Sequence, residues 1–343
     1  MFGFQKLDVY RCAVTLLGLS RVQEHIVAKM SQKPPSSVAT LEMDATIIES
    51  HKKEALPHDK GGRGYQPSWG YWVEQDLVVA DQFRDGNVPA GKAPLDVVKR
   101  AFASLPASVE HRRFRADSAA YEATTLKWLA DHENRIERFT VSADMTPQLR
   151  KLAESVASSA WKVYENRDQE TVCCAEVDFQ PGEWPKQAAP MRTIVLKIER
   201  RQADMFAEQG GTKYLGIVSN DFALDAVALV RWHDRKAGCI EVVHDVVKNE
   251  LGGGVLPCAA FGANAAWFRP CLVTYNLLSA MKVLALPAPF ENARPKRLRF
   301  AVFNLPARLV SHARRLWARV ARSLLERADL LLSRSRLRTA WAA

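Results

Sequence analysis

Leu41-Glu42-Met43-Asp44-Ala45-Thr46-Ile47-Ile48-Glu49-Ser50 is the stretch on which the fold turns. Its apolar residues alternate as in a strand: Leu41, Met43, Ala45 and Ile47 fall on one face, and Glu42, Asp44, Thr46 and Ile48 on the other. Asp44 thus sits mid-strand among apolar neighbours, where a carboxylate is costly unless it is paired or binds a cation. A lone strand aspartate more often makes an ordinary surface hydrogen bond, so Asp44 decides nothing by itself.

Working outward, residues 5–30 have helical spacing, with Leu7, Leu16, Leu17, Val22, Ile26 and Met30 available for one apolar face, and Gln32-Lys33-Pro34-Pro35-Ser36-Ser37 ends it as a linker. After the key strand, residues 65–73 and 77–83 predict two more strands, joined by the polar turn Glu74-Gln75-Asp76. A helix over 93–104, a strand over 113–117, a helix over 119–133 and a strand over 138–143 follow. Then come a helix over 147–158 and strands over 171–179, 193–199 and 214–219, separated by Gln180-Pro181-Gly182 and Gly210-Gly211. Asp221 can cap a helix whose apolar residues recur to Leu251, where Gly252-Gly253-Gly254 stops it. Helices are expected over 261–286 and 305–333. Three strands, helix, strand, helix, strand, β-rich insert and helix predict an α/β, ribonuclease-H-like mixed sheet with a β-rich insertion before its last helix and a basic helical tail. The divisions expected are 1–37 for an N-terminal helical segment and linker, 38–144 and 221–292 for the two parts of the core, 145–220 for the insertion and 293–343 for the tail.

Two further acids fall at informative places. Asp117, in Arg115-Ala116-Asp117-Ser118-Ala119, lies at a strand-to-helix junction, where an N-cap explains it as well as chemistry does. Glu241 falls in a helix whose neighbours Ile240, Val242, Val243, Val246 and Val247 are apolar; Glu241, His244 and Lys248 make one polar stripe at i, i+3 and i+7. A solvated helix face would show the same spacing. Glu250 competes for the role of third acid, but it points about 180° from Glu241 around an ideal helix. Only Glu241 has a lysine seven residues on.

The chain has 343 residues, with 48 basic and 38 acidic side chains and a net charge of +10. Thirteen of the basic residues and only Glu326 and Asp329 lie from Arg294 onward, so residues 1–293 are close to neutral. The charge that favours an anionic partner is therefore a C-terminal property. Six scattered cysteines with no CxxC pair support neither a zinc site nor a disulfide framework and suit a reduced, cytoplasmic protein. The apolar run 271–290 is interrupted by Asn276 and Lys282 and closed by Pro287 and Pro289, so it is expected as a buried helix rather than a membrane span.

The text around the three acids adds a resemblance. Residues 41–50 look like the first-aspartate block of DDE transposases of bacterial insertion sequences. Gly64-Tyr65-Gln66-Pro67 and Val79-Ala80-Asp81-Gln82-Phe83-Arg84-Asp85-Gly86-Asn87-Val88-Pro89-Ala90 resemble the hairpin that follows it. Phe114-Arg115-Ala116-Asp117-Ser118-Ala119 is similar to the second-aspartate block. Ile240-Glu241-Val242-Val243-His244-Asp245-Val246-Val247-Lys248-Asn249-Glu250-Leu251, with Phe261-Gly262-Ala263-Asn264-Ala265-Ala266-Trp267, resembles the third-acid helix and its successor. The blocks keep their order from about residue 38 to 320. A related branch carries a tyrosine, arginine, glutamate, lysine signature; Glu241 and Lys248 keep its last spacing, while Trp232 and Arg235 stand for its first two members with a wider gap before Glu241.

The resemblance implies that Asp44, Asp117 and Glu241 hold two Mg²⁺ ions, for which Mn²⁺ can substitute, and cleave and transfer strands at element ends. It implies double-stranded DNA as partner, both terminal repeats and target, and a homodimer on that DNA, with no membrane role. Lys248 and Arg235 would contact DNA near the site; Trp161 and Trp184, in the insertion, could stack on an unpaired base, though such tryptophans are more often core. Arg297, Arg299, Arg314 and Arg315 represent the basic tail, whose favoured reading is phosphate binding. Leu316, Trp317, Val320, Leu324 and Leu325 leave a membrane-surface helix as its rival. Two other functions stay open: an inactive, N-terminally shortened remnant that only binds DNA, and a stand-alone ribonuclease-H-like nuclease.

Overall fold

The computed structural model describes residues 3–30, 36–182, 184–185, 188–200, 212–304, 306–313 and 315–320. In chain order its elements are α1 (Gly3–Met30), β1 (Val38–Ala45), β2 (Ile48–Glu49), β3 (Leu56–Pro57), β4 (Arg63–Tyr65), β5 (Ser68–Trp72), β6 (Leu77–Gln82) and α2 (Pro94–Ala103). Next come β7 (His111–Ala116), α3 (Ala123–Ala130), β8 (Ile136–Ala143), α4 (Pro147–Ser155), β9 (Lys162–Asn166), β10 (Glu170–Val177), β11 (Arg192–Arg200) and β12 (Thr212–Ser219). The last are α5 (Ala226–Asp234), α6 (Ile240–Asn249), α7 (Phe261–Leu284), α8 (Pro295–Leu298), β13 (Ala307–His312) and β14 (Arg315–Val320). The chain divides into two units, Pro35–Gln75 with Val79–Val242, and Met1–Pro34 with Asp76–Val78 and Val243–Ala343.

The main sheet has nine strands in the order β6-β5-β1-β7-β8-β12-β11-β10-β9. β5 is antiparallel to β1, whereas β7 is parallel to β1 and β8 is parallel to β7. A hairpin-linked trio followed by two parallel strands on the far side of the first is the ribonuclease-H-like order, as expected. β1 is central and buried on both faces through Ala39–Met43. The β-rich segment continues this sheet: β12 pairs antiparallel with β8, and β11, β10 and β9 follow by antiparallel pairing.

Helices cover the two faces. Gly70 lies opposite Met43, and a Cβ on it would stand 2.9 Å from the Ala101 side chain, so α2 approaches the Met43 face as closely as glycine permits. Gly216 plays the same part for α4, where a Cβ would meet Leu149 at 2.9 Å. On the opposite face Leu229, Val230 and Trp232 of α5 form a core with Ile217, Ile194, Leu196, Cys174 and Val172. Burying each such side chain contributes about 1.5–3 kcal/mol. Asp225 starts α5 by accepting hydrogen bonds from the amides of Val227 and Ala228 at 2.9 and 3.4 Å.

In the other unit α1 packs along α7, with Ile26, Val27 and Met30 buried. Leu17 and Val22 of the expected apolar face remain exposed. Asn276 of α7 accepts from the Val78 amide at 2.8 Å and donates to its carbonyl at 2.7 Å, and Gln23 of α1 donates to the same carbonyl at 3.1 Å. Asp76, at positive φ, accepts from Ser279 Oγ at 2.7 Å and from Lys282 Nζ at 2.8 Å. The 271–290 run is helical through Leu284, buried along one side with Leu277 and Val283 exposed, and no helix among the described residues is long and apolar enough to cross a membrane.

Three expectations are corrected. The strand over 65–73 is two strands, because Gln66-Pro67 interrupts it, and β4 joins β2 and β3 in a small second sheet. The helix from Asp221 to Leu251 is two helices separated by a 3₁₀ turn over Arg235–Gly238; Asp225 caps the first, while Asp221 accepts from Ala223 and Leu224 amides and pairs with Arg138. The helix over 305–333 is, through residue 320, the antiparallel hairpin β13–β14. Ala313 makes the turn at φ 51°, and Leu309-Val310 and Leu316-Trp317 suit a ribbon. The rest of that expected helix lies outside the described residues.

Candidate active site

The register of β1 and β7 determines what the sequence could only suggest. Met43 is paired with Ala116 in parallel register, so the next residues along, Asp44 and Asp117, stand side by side at the carboxyl ends of the two central strands. Both are half-buried. Asp44 Oδ1 accepts from the Ala45 amide at 2.7 Å, and Asp117 Oδ1 caps a short 3₁₀ turn by accepting from the Ala119 amide at 2.9 Å. Asp117 is therefore a cap, and the cap leaves it beside Asp44. On β8 the same register, one step past the Ala116–Val141 pair, places Ser142 next to Asp117.

One step back, Glu42, Arg115 and Thr140 form a parallel row on the same face. Glu42 and Arg115 are a buried ion pair at 2.5 Å, with side chains 1% and 4% exposed. Burial pushes the Glu42 carboxyl above its ordinary range, and the guanidinium opposes that. Arg115 also donates to the Trp232 carbonyl at 2.7 Å and lies over the Trp232 ring, with Arg138 similarly placed. His233 is held between Thr140 Oγ1 at 2.8 Å and Ser142 Oγ at 3.0 Å, and burial drives its pKa down to about 3, so the ring is neutral near pH 7.

Glu241 is exposed in the first turn of α6. The residue before it, Ile240, donates its amide to Glu42 Oε2 at 3.0 Å, so α6 begins over the face that carries Asp44. Glu250, the rival third acid, is otherwise engaged: it accepts from Arg294 Nε at 2.5 Å and from the Lys296 amide at 2.9 Å. Among the described residues no group of three His, Cys, Asp or Glu side chains is gathered tightly enough to hold a metal ion. The two aspartates supply adjacent hard oxygen donors of the kind Mg²⁺ and Mn²⁺ take.

The other residues singled out from the sequence are placed as follows. Arg235 is exposed in the 3₁₀ turn and Lys248 half-buried on α6, whose stripe includes a buried His244. Arg297 is exposed, its guanidinium 5.3 Å from the Phe290 ring centre; Arg299 and Arg315 are exposed, and Arg314 lies outside the described residues. Trp161 packs beside Tyr214 and under Lys197, and Trp184 Nε1 donates to the Ala189 carbonyl at 3.1 Å. Sequence reasoning missed Glu42, Arg115, Thr140, Ser142 and His233. The signals available were a charged residue at Glu42 in an otherwise apolar strand and an arginine between two motif residues, Phe114 and Asp117.

The sheet order is ribonuclease-H-like, and two aspartates lie at the carboxyl ends of two neighbouring parallel strands. The chain belongs to the family described as transposase DDE domain group 1, whose model matches residues 8–341. Domains of this family use divalent metal ions. Among solved structures it is similar to the piggyBac transposase of a synaptic complex with hairpin DNA, at 10% identity and a TM-score of 0.40, covering 71% of this chain and 48% of that one. This chain thus spans about half the length of that protein. No curated protein matches it.

Proposed function

We propose that this protein is the transposase of a bacterial insertion sequence, cleaving DNA at the element's ends and joining those ends to target DNA. The observation that carries the reading is the placement of Asp44 and Asp117 one step beyond the Met43–Ala116 pair, within a family whose members bear the DDE acids. Asp44, Asp117 and Glu241 would hold two Mg²⁺ ions, with Mn²⁺ able to substitute, and that pair supplies stabilisation of the attacking and leaving oxygens. The residues' own task is to fix donor positions. Asp44 and Asp117 are already held on strand ends by backbone amides. Glu241 stands on a helix whose first amide is anchored to Glu42 on the same face, and it is proposed to complete the carboxylate set when DNA is bound.

The partner is double-stranded DNA, terminal repeats and target alike, engaged by a homodimer in the cytoplasm. Lys248 and Arg235 are proposed to meet phosphates near the site, and Arg297, Arg299, Arg314 and Arg315 farther along the duplex. The functional divisions proposed are 38–144 and 221–292 for the catalytic core around a 145–220 insertion, with 1–37 and 293–343 flanking it.

The test is Mg²⁺- or Mn²⁺-dependent nicking of a labelled element end by the unaltered protein and by Asp44→Asn and Asp117→Asn. Nicking by the first alone supports the reading. End binding without nicking under either metal would make the chain a DNA-binding remnant, and equal nicking of arbitrary duplexes would make it a nuclease.

A further inference from the structure

We propose that Glu42 is a positioning residue that seats the helix carrying Glu241 relative to the strand carrying Asp44. The inference rests on the reading of Glu241 as the third acid. Glu42 precedes Asp44 by two residues and Arg115 precedes Asp117 by two, so the ion pair is the rung directly behind the two aspartates on the same face. The carboxylate divides its oxygens between two tasks. Oε1 takes Arg115 Nε at 2.5 Å, and Oε2 takes the Ile240 amide at 3.0 Å. Arg115 in turn grips the segment leading to that helix, through the Trp232 carbonyl at 2.7 Å and Cys239 Sγ at 3.7 Å.

Residues 232–240, including the 3₁₀ turn, are thus pinned at both ends by one buried pair. Helix-start amides lack intrahelical partners and are usually met by a nearby cap or by water. Here the partner comes from a residue 198 positions away in sequence, on the strand that bears the first aspartate. A buried ion pair is a poor source of stability compared with well-packed apolar residues of the same volume. Its retention at this place fits a role in geometry: whatever fixes the Ile240 amide fixes the backbone of Glu241, the next residue.

Glu42→Gln tests this. An amide offers one oxygen where the carboxylate offers two, so either Arg115 or Ile240 meets an N–H instead of an acceptor. Hydrogen–deuterium exchange at the Ile240 amide, in the metal-free protein, should rise at least tenfold. Nicking should show kcat down at least tenfold with KM for DNA within about twofold, and a higher Mn²⁺ concentration at half-maximal rate. Leu126→Ala, which hollows α3, is the control for general destabilisation and should leave Ile240 exchange and the metal midpoint in place. If Glu42→Gln does not fold, Glu42→Asp keeps the charge but is too short to reach both partners, and the same changes are expected. Unchanged Ile240 exchange, or faster exchange with unchanged kcat and metal midpoint, would overturn the proposal. Failure of the unaltered protein to nick would instead sink the transposase reading, and the exchange measurement would still decide whether Glu42 anchors the helix.

Discussion

Asp117 shows how a cap and a catalytic candidate can be the same residue. Its side chain accepts the Ala119 amide, as any N-cap would, and the strand register sets it beside Asp44. Removing either carboxylate should cost nicking about a thousandfold or more, the scale of several kcal/mol of transition-state stabilisation, with DNA affinity nearly unchanged. Affinity that falls together with rate in Asp44→Ala and Asp117→Ala, measured by filter binding beside the nicking assay, would speak for a binding role. Asp44 was legible as an odd residue in an apolar strand, and Asp117 as a junction acid. Their juxtaposition was not, because cross-strand register depends on the whole run of chain between β1 and β7. The same reason hid the Glu42–Arg115 pair, whose members are 73 positions apart.

At the scale of elements, His233 gives a pH dependence that can be checked. Burial lowers its pKa from the ordinary 6.5 to about 3, so the unfolded chain takes up a proton in this interval that the folded chain refuses. The stability due to neutral His233 is complete above about pH 6.5 and is lost as pH falls from there toward 3, by at most about 1.4 kcal/mol per pH unit. Urea denaturation between about pH 7 and pH 4.5 should show a shallower loss in His233→Gln than in the unaltered protein; parallel curves would contradict the assignment. Leu229, fully buried in the core between α5 and β10–β12, should cost about 2–5 kcal/mol when replaced by Ala, read from the same denaturation curves near neutral pH. Most strands and helices could be read from period alone. The break between α5 and α6 could not, because His233 to Ile240 is seven residues, about two helical turns, and the apolar phase runs on across the turn. The tail was misread for a different reason: its arginines and apolar residues fit a helical face and a ribbon about equally well.

For the whole molecule, the excess positive charge lies from Arg294 onward, and the hairpin carries Arg308, Arg315 and Arg319 of it. Arg308 lies opposite Arg319 and His312 opposite Arg315, so these residues share one face of the ribbon with Val310 and Trp317. Replacing Arg308, Arg315 and Arg319 by Ala should flatten the slope of log affinity against log salt by up to about 2.7, at about 0.9 for each phosphate no longer neutralised. An unchanged slope, with binding to anionic vesicles abolished instead, would favour a membrane-surface role for the hairpin. The molecule's central claim is that the two aspartates brought together by the sheet hold metal. A crystal of the protein with an element end and Mn²⁺, read by anomalous scattering, tests it most directly. The expected result is an Mn²⁺ peak about 2.1 Å from a carboxylate oxygen of both Asp44 and Asp117; Mn²⁺ bound elsewhere, with neither aspartate in its coordination sphere, would contradict it.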